Sequence, residues 1–429
     1  MKNALLPSAT LGVVGGGQLG LMFVHAAQRL GYKTTVLELD ESAPAAGVSH
    51  HHVRSQYDNP TGLEPFCRQV DAVTIEFENV PANTLDYLAQ YRPTRPAAAA
   101  VAVCQDRVRE KQFFIDQGVT CVPYTVLQSL SDEVHATDLD ALAADVDTAL
   151  FPAILKTTQM GYDGKGQVTV ASQDALAAAW ASLAHTTCIL EKRVDLLLEV
   201  SVIVARGENG DMVHLPVAQN HHVGGILVST QVPAPDLSPE QSLAAVQATK
   251  QLAAALSYVG VLCVEFFVTK DGQLLANEMA PRPHNSGHAS MDCMSLSQFD
   301  LQVRTLAGLP LVQPEQMQSA VMLNLMGDLW FVGEGKSTPQ SPDWESVLAV
   351  QGAHLHLYGK TVPKKARKMG HLTLTAGNAQ QAKARALQCA AILGIENTGL
   401  NAMLNGEHTA VPDLSQVAHD IPHFLEKNN

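Results

Sequence analysis

The sequence predicts a mixed chain, α/β at its N-terminus and α+β beyond, on three observations. Residues 11–40 read as strand, glycine turn, helix and strand. From Phe151 the pattern changes to strands punctuated by glycine. Beyond about residue 318 it is dominated by short strands and one closing helix. With 429 residues, 46% of them apolar, the chain can bury the cores of two to four domains.

Taken in order, 11–14 is apolar, Gly15-Gly16-Gly17-Gln18-Leu19-Gly20 turns the chain, 21–30 has helical periodicity, Gly31 stops it, and 34–37 is β-branched and apolar. A second strand at 72–77 precedes Glu78-Asn79-Val80-Pro81 and implies a parallel sheet. Arg92-Pro93-Thr94-Arg95-Pro96 and an alanine run connect to a new unit. A charged helix over 106–117 ends at Gly118, and 131–149 reads as a polar surface helix. Residues 152–156 form a strand ending in a lysine. The glycine-rich 161–167 precedes a strand at 167–170, so it reads as a hairpin tip. Strands are expected at 187–191, 198–205 and 212–218, a helix at 239–256, and a hairpin of 261–268 with 273–279 through Asp271-Gly272. A helix at 295–307 leads to the small C-terminal unit, with a segment at 355–358, a basic stretch, and a helix near 378–394.

A net charge of −14 argues against nucleic-acid or anionic-membrane partners but leaves phosphorylated small molecules open. The seven cysteines are odd in number and form no CxxC pair, which reads as reduced, cytoplasmic thiols. The N-terminus lacks a secretory pattern. The longest apolar stretch, 252–268, carries Glu265, so no membrane span is expected.

The 15–20 turn matches GxGxxG, with Glu38 about 20 residues on. This fits an NAD site with Glu38 on the ribose. It fits equally a strand–turn–helix that merely brings backbones close. Glu265 and Glu278 stand on adjacent strands whose apolar flanks, such as Val261-Leu262-Cys263-Val264, argue against a solvated pair. Two hard oxygen ligands there suit Mg²⁺ carrying ATP phosphates. Lys156 before a glycine loop can neutralise those phosphates. Glu191 at a strand end suits nucleotide hydroxyls, a faint signal by itself. His50-His51-His52 lies in a loop without ligand-spaced partners and reads as surface histidines. His284 and His288 are separated by Gly287 and make a poor zinc motif.

Lys156, Gly161-Tyr162-Asp163-Gly164-Lys165-Gly166-Gln167, Glu191-Lys192-Arg193-Val194, Glu199, Glu265 and Asn277-Glu278 resemble the ATP-grasp superfamily in order and spacing. The segment 278–288, with Pro281-Arg282-Pro283-His284-Asn285-Ser286, more specifically resembles N5-carboxyaminoimidazole ribonucleotide synthetases, as do Glu76-Phe77-Glu78-Asn79 and the opening turn. The resemblance covers roughly residues 10–375. It implies an N-terminal biotin-carboxylase-like (pre-ATP-grasp) domain over 1–104, an ATP-grasp domain over 105–312, and a small β-rich C-terminal domain with a helical tail over 313–429. It also implies a cytoplasmic homodimer.

By position, the resemblance assigns ATP to Arg107, Lys156, the 161–167 loop, Glu191, Lys192, Arg193, Val194, Glu199, His222, Asn277 and Glu278, and Mg²⁺ to Glu265 and Glu278. It assigns aminoimidazole ribonucleotide to Gln18, Leu19, Glu76, Glu78, Tyr162, His284, Asn285, Ser286, Lys360 and Arg367. The implied chemistry is phosphoryl transfer from ATP to bicarbonate, then capture of the carboxyl unit by the 5-amino group. Arg282 would hold bicarbonate or its adduct, and Asp163 would orient or deprotonate the amine. Three departures stand out: Lys165 replaces a frequent arginine, Ala280 replaces an asparagine common in ATP-grasp ligases, and the 360–368 segment is one residue longer than the resemblance leads one to expect, which leaves Lys364 and Lys365 as rival phosphate contacts. The rival readings are a formate ligase acting on glycinamide ribonucleotide, an NAD(P)-dependent oxidoreductase, and a nucleotide-binding regulator. Tyr162-Asp163 and Asn285-Ser286 favour the carboxylating family over the first.

Overall fold

The computed structural model describes residues 4–129, 145–159, 166–331 and 338–395. The N-terminal layer is built from β1 (Thr10–Val14), α1 (Gln18–Arg29), β2 (Lys33–Leu37), β3 (His51–Val53), α2 (Pro60–Gln69), β4 (Ala72–Ile75) and α3 (Ala82–Ala89). Its four strands are parallel in the order β3-β2-β1-β4. The expected first strand, helix and second strand are all present. The histidine tract is a correction: His51 and His52 lie on β3, paired with Thr35 and Val36. A three-residue edge strand is too short for period-2 alternation to register.

The glycine turn has a physical reason. Glu76, just past β4, reaches back so that its carboxylate accepts the N–H groups of Gly17 (3.0 Å) and Gly20 (3.2 Å). Glu38 accepts the Gly16 N–H at 3.0 Å and the Tyr57 hydroxyl. The protein's own carboxylates therefore occupy the Gly16, Gly17 and Gly20 donors and place negative charge where a dinucleotide pyrophosphate would lie. The NAD reading is overturned on this geometry. A Cβ added at Gly17 would lie 2.7 Å from Glu76 Oε1. Gly17→Ala is expected to lower unfolding stability by about 1–3 kcal/mol, checked by thermal denaturation.

A second unit follows α4 (Ala98–Cys104) and α5 (Arg107–Asp116), the latter capped by Asp106. It is the antiparallel sheet β5-β8-β6-β7, from β5 (Tyr124–Leu127), β6 (Ala153–Thr157), β7 (Gln167–Val170) and β8 (Cys188–Lys192), with α6 (Leu176–Ser182) packed beside it. Lys156 opposes Gln167, so β6 and β7 form the expected hairpin. Its tip, 160–165, and most of the helix expected at 131–149 lie outside the described residues. Within the latter span, Thr148–Leu150 is a single 3₁₀ turn.

The central sheet contains β9 (Leu196–Arg206), β10 (Met212–His214), β11 (Ala218–Val223), β12 (Ile226–Val232), β13 (Gly260–Thr269), β14 (Leu274–Ala280), β15 (Ser319–Met326), β16 (Ala353–Leu357) and β17 (Lys368–Ala376). Its order is β14-β13-β9-β11-β12-β15-β17-β16, with β10 beside β9. The single strand expected at 212–218 is two strands. The β11–β12 hairpin turns through Gly224 and Gly225 at positive φ, where glycine avoids the steric cost of a side chain. The sheet is covered by α7 (Pro239–Ala255), α8 (Ser290–Cys293), α9 (Gln298–Ala307), α10 (Trp344–Leu348) and α11 (Ala379–Leu393). Residues 229–232 of β12 pair with 320–323 of β15, so the C-terminal strands extend the central sheet. We propose domain divisions at 104/105 and 312/313, which limited proteolysis can test.

Candidate active site

The described parts of all three regions meet at a cleft of about 510 Å³. From the N-terminal turn it takes Gln18, Leu19, Glu76 and Glu78; from α5, Arg107; from β14 and the following segment, Glu278, Arg282, His284 and Asn285.

β13 and β14 are apolar strands joined by a tight turn, and their register sets Glu265 directly opposite Glu278. Directly opposed residues on paired strands share a face. Arg107 Nη1 lies 3.0 Å from Glu278 Oε2, and His284 Nδ1 lies 3.7 Å from Glu265 Oε1. Burial, reinforced by the Glu278 charge, pushes the Glu265 carboxyl up to about 8. Burial also opposes charge on Glu278, but Arg107 and Lys156 hold that carboxyl below its ordinary value. Glu265 Oε1 is buried without a hydrogen-bond partner. An orphan oxygen facing a second carboxylate is a donor set that fits a hard divalent cation.

Behind the pair lies a buried charge network. Glu191 on β8 accepts from Lys156 Nζ at 2.6 Å and pairs with Lys111 Nζ at 3.2 Å. Burial disfavours its charge, yet the two ammonium groups hold Glu191 at about 2. Lys111 also donates to the Asn277 carbonyl at 2.8 Å. Glu199 on β9 is ion-paired with His222 on β11. Burial works against the imidazolium, but Glu199 outweighs it and lifts His222 to about 9.

On the other wall, Arg282 is ion-paired with Glu78. Gln105 Nε2 fixes that loop by donating to the carbonyls of Glu78 (2.6 Å) and Val80 (2.7 Å). A polar chain sets His284: Thr230 donates to Asn220, Asn220 to Ser201, and Ser201 to Ser286. The Ser286 hydroxyl then lies 2.9 Å from His284 Nδ1. Desolvation and the neighbouring Arg282 push His284 down to about 3, so it stays neutral. If Nδ1 accepts the Ser286 proton, Nε2 carries the ring's own proton. Both polar atoms of the Asn285 side chain are buried, unpartnered and at the cleft wall.

The expected residues fall into groups. Lys156, Glu191, Glu199, His222 and Asn277 sit behind the carboxylate pair. Lys192 ends β8 and Arg193 and Val194 follow it, the Lys192 and Arg193 N–H groups held by the Pro123 and Pro152 carbonyls at 2.9 and 2.8 Å. Gln167 begins β7 just after Gly166, whereas Gly161, Tyr162, Asp163, Gly164 and Lys165 lie outside the described residues. Ser286 is fully buried behind His284. Lys360 donates to Gln18 Oε1 at 2.9 Å and to the Lys368 carbonyl at 2.8 Å. Arg367 donates to the Val362 carbonyl at 2.7 Å, while Lys368 lines the cleft.

Sequence reasoning missed Lys368, Gln105, Glu110 and Lys111. For the last two a signal exists. Arg107, Glu110, Lys111 and Phe114 recur at i, i+3, i+4 and i+7, one helix face. Charges on the same face as a core phenylalanine mark a functional stripe; Glu110, Lys111 and Phe114 are all buried.

Comparisons with known proteins agree with this geometry. The chain matches the ribonucleotide synthetase preATP-grasp domain over residues 8–105, the ATP-grasp domain over 113–299, and the phosphoribosylaminoimidazole carboxylase C-terminal domain over 320–385. It is 41% identical to the N5-carboxyaminoimidazole ribonucleotide synthase of Brucella melitensis over 374 residues, covering 87% of this chain and 98% of the relative. Identity to the Bacillus subtilis enzyme of that name is 36%, covering 87% and 93%. Among solved structures, the Staphylococcus aureus N5-carboxyaminoimidazole synthetase complexed with ADP superposes with TM-score 0.80 at 33% identity, covering 91% and 98%. The Aspergillus clavatus N5-carboxyaminoimidazole synthase in complex with ADP and 5-aminoimidazole ribonucleotide gives 0.79 at 28%, covering 91% and 99%.

Proposed function

Because the chain belongs to the N5-carboxyaminoimidazole ribonucleotide synthase family, we propose that this cleft joins bicarbonate to an aminoimidazole amine at the expense of ATP. The activity is ATP-dependent carboxylation of 5-aminoimidazole ribonucleotide to its N5-carboxy product in purine biosynthesis, and the enzyme is a carbon–nitrogen ligase. One observation carries the reading of the site: the Glu265–Glu278 pair and the Arg282–Asn285 segment are consecutive pieces of one hairpin and its exit, with Glu278, Arg282, His284 and Asn285 lining one cleft and Glu265 set beside His284.

Glu265 and Glu278 would hold Mg²⁺, which when bound offsets charge on the ATP phosphates. Arg107 and Lys156 supply fixed positive charge beside the triphosphate. Glu191 holds Lys156 in place, and Glu199–His222 closes the far side of the nucleotide pocket. Lys192, Arg193 and Val194 offer strand-end backbone to the base. Phosphoryl transfer from ATP to bicarbonate gives carboxyphosphate and ADP, the 5-amino group then takes the carboxyl unit as inorganic phosphate leaves, and Arg282 positions the anion with its planar fork. Glu78 orients Arg282. His284, neutral, donates from Nε2, and Asn285 offers both amide atoms to the ribonucleotide. Gln18, Leu19 and Glu76 form the opposite wall; Lys360 and Arg367 bring cationic charge from the C-terminal strands, with Lys368 nearer the cleft. The reading assigns Asp163 to the amine. Asp163→Asn should cut formation of the carboxylated product more than ADP release, and unchanged turnover would remove that role.

The test of the function is ADP release with 5-aminoimidazole ribonucleotide plus bicarbonate, set against glycinamide ribonucleotide plus formate. Turnover only with the second pair would reverse the assignment. Asn285→Ala should raise KM for the ribonucleotide about tenfold, the worth of one or two lost hydrogen bonds, with kcat much less affected; steady-state kinetics reads this directly. All seven cysteines are free thiols in the structure, which supports a reducing, cytoplasmic location. The homodimer follows the family resemblance and is checked by light scattering. Among the described residues, no helix is long and apolar enough to cross a membrane.

A further inference from the structure

Away from the carboxylate pair, Asp292, His356 and His371 come together, with one ligand atom of each within 4.8 Å of the others. They arrive from three elements: α8, β16 and β17. His356 and His371 are cross-strand partners, and their rings stack at 4.5 Å. His356 Nε2 lies 3.0 Å from Asp292 Oδ2 and 3.2 Å from Oδ1. His354, two residues along β16, lies 3.6 Å from Asp292 Oδ1. His371 is fully buried. Its Nδ1 lies 2.9 Å from the Tyr358 hydroxyl, while its Nε2 is buried with no hydrogen-bond partner.

Such a partnerless nitrogen costs free energy unless something binds it. An imidazole fixed through one nitrogen by a neighbouring side chain, with the other nitrogen unspent, is the usual setting of a metal-ligating histidine. The Asp292 and His356 side chains are partly exposed, at 10% and 25%, which leaves an entry path to the buried member. Two imidazoles and one carboxylate suit a borderline divalent ion such as Zn²⁺, whereas Mg²⁺ prefers an all-oxygen set. Ligand bonds of about 2.0–2.2 Å require the three groups to close by modest side-chain rotation.

We propose that Asp292, His356 and His371 form a second metal site, for a divalent transition ion of the Zn²⁺ class, separate from the Glu265–Glu278 pair. The ion clasps α8 to β16 and β17. It lies next to Tyr358 and His288, both of which line the cleft. The site is therefore a structural tie between the C-terminal strands and the segment after β14, and it contributes no ligand to substrate.

The test uses the full chain without a polyhistidine tag, stripped with chelator and titrated with Co²⁺ under excess Mg²⁺. We expect about one equivalent bound, a visible Co²⁺ spectrum with imidazole-nitrogen character, displacement by Zn²⁺, and a Tm raised by several degrees. Asp292→Asn and His356→Gln, both at partly exposed positions, should each weaken Co²⁺ binding at least about tenfold, while Glu265→Gln leaves it intact. Three results would overturn the site: no Co²⁺ binding under excess Mg²⁺, binding with an all-oxygen spectrum, or binding lost in Glu265→Gln yet kept in the other two variants. The wild-type spectrum decides the ligand type even if a variant folds poorly.

Discussion

Glu265→Gln is expected to lower ATP-dependent carboxylation by about 10²–10³-fold while making the ligand-free protein more stable near neutral pH. Both effects come from one environment. Glu265 is mostly buried opposite Glu278, which pushes its carboxyl from 4.5 up to about 8. Between those two values the folded protein holds a proton that the unfolded chain has released. Stability therefore falls as pH rises through that window, and reaches its full deficit above about 8. Glutamine removes the ionisation and with it the decline. The melting temperature of the variant should exceed that of the wild type at pH 8, with the gap closing towards pH 4.5, in chelator and without nucleotide. Added Mg²⁺ and ATP should stabilise the wild type strongly and the variant little. Undiminished turnover in the variant, or a wild-type stability curve flat across this range, would dismiss the paired-carboxylate site.

Glu191→Gln acts in the opposite sense. Its carboxylate is the shared partner of Lys111 and Lys156, both buried. Without it, two ammonium groups remain in the interior with no full counter-charge. Removing one partner of a buried pair costs about 3–5 kcal/mol, and a similar loss of unfolding free energy is expected by denaturant titration at pH 7. The sign with pH is set by a folded value near 2 against 4.5 unfolded. The stabilisation is complete above about 4.5 and disappears as pH falls towards 2. Wild type and variant should thus converge in acid. Lys156 would also lose its position, so KM for ATP should rise.

The contrast between these two glutamates measures how much of the site was legible. Glu265 and Glu278 are thirteen positions apart on one hairpin, and apolar flanks plus Asp271-Gly272 were enough to bring them together. The Glu191 carboxylate, expected on nucleotide hydroxyls, is held by two lysines that strand patterning does not reveal, one of them on a helix about eighty residues earlier. The glycine turn was legible as a turn, but its donors are occupied by Glu76 and Glu38, which periodicity cannot report. Lys368 was passed over for Arg367 because the basic run carries several cations and only the closed sheet decides which one faces the cleft.

By itself the sequence determined the local elements: the strand–turn–helix at the N-terminus, the β6–β7 and β13–β14 hairpins, the capped helices, and the family motifs written along them. These rest on interactions between near neighbours, which spacing records. The tertiary structure alone decided that β12 pairs with β15, that buried lysines neutralise Glu191, and that Asp292 meets His356 and His371. Those contacts join residues tens to hundreds of positions apart, and their charge states follow from burial. Burial exists only once the sheet has closed.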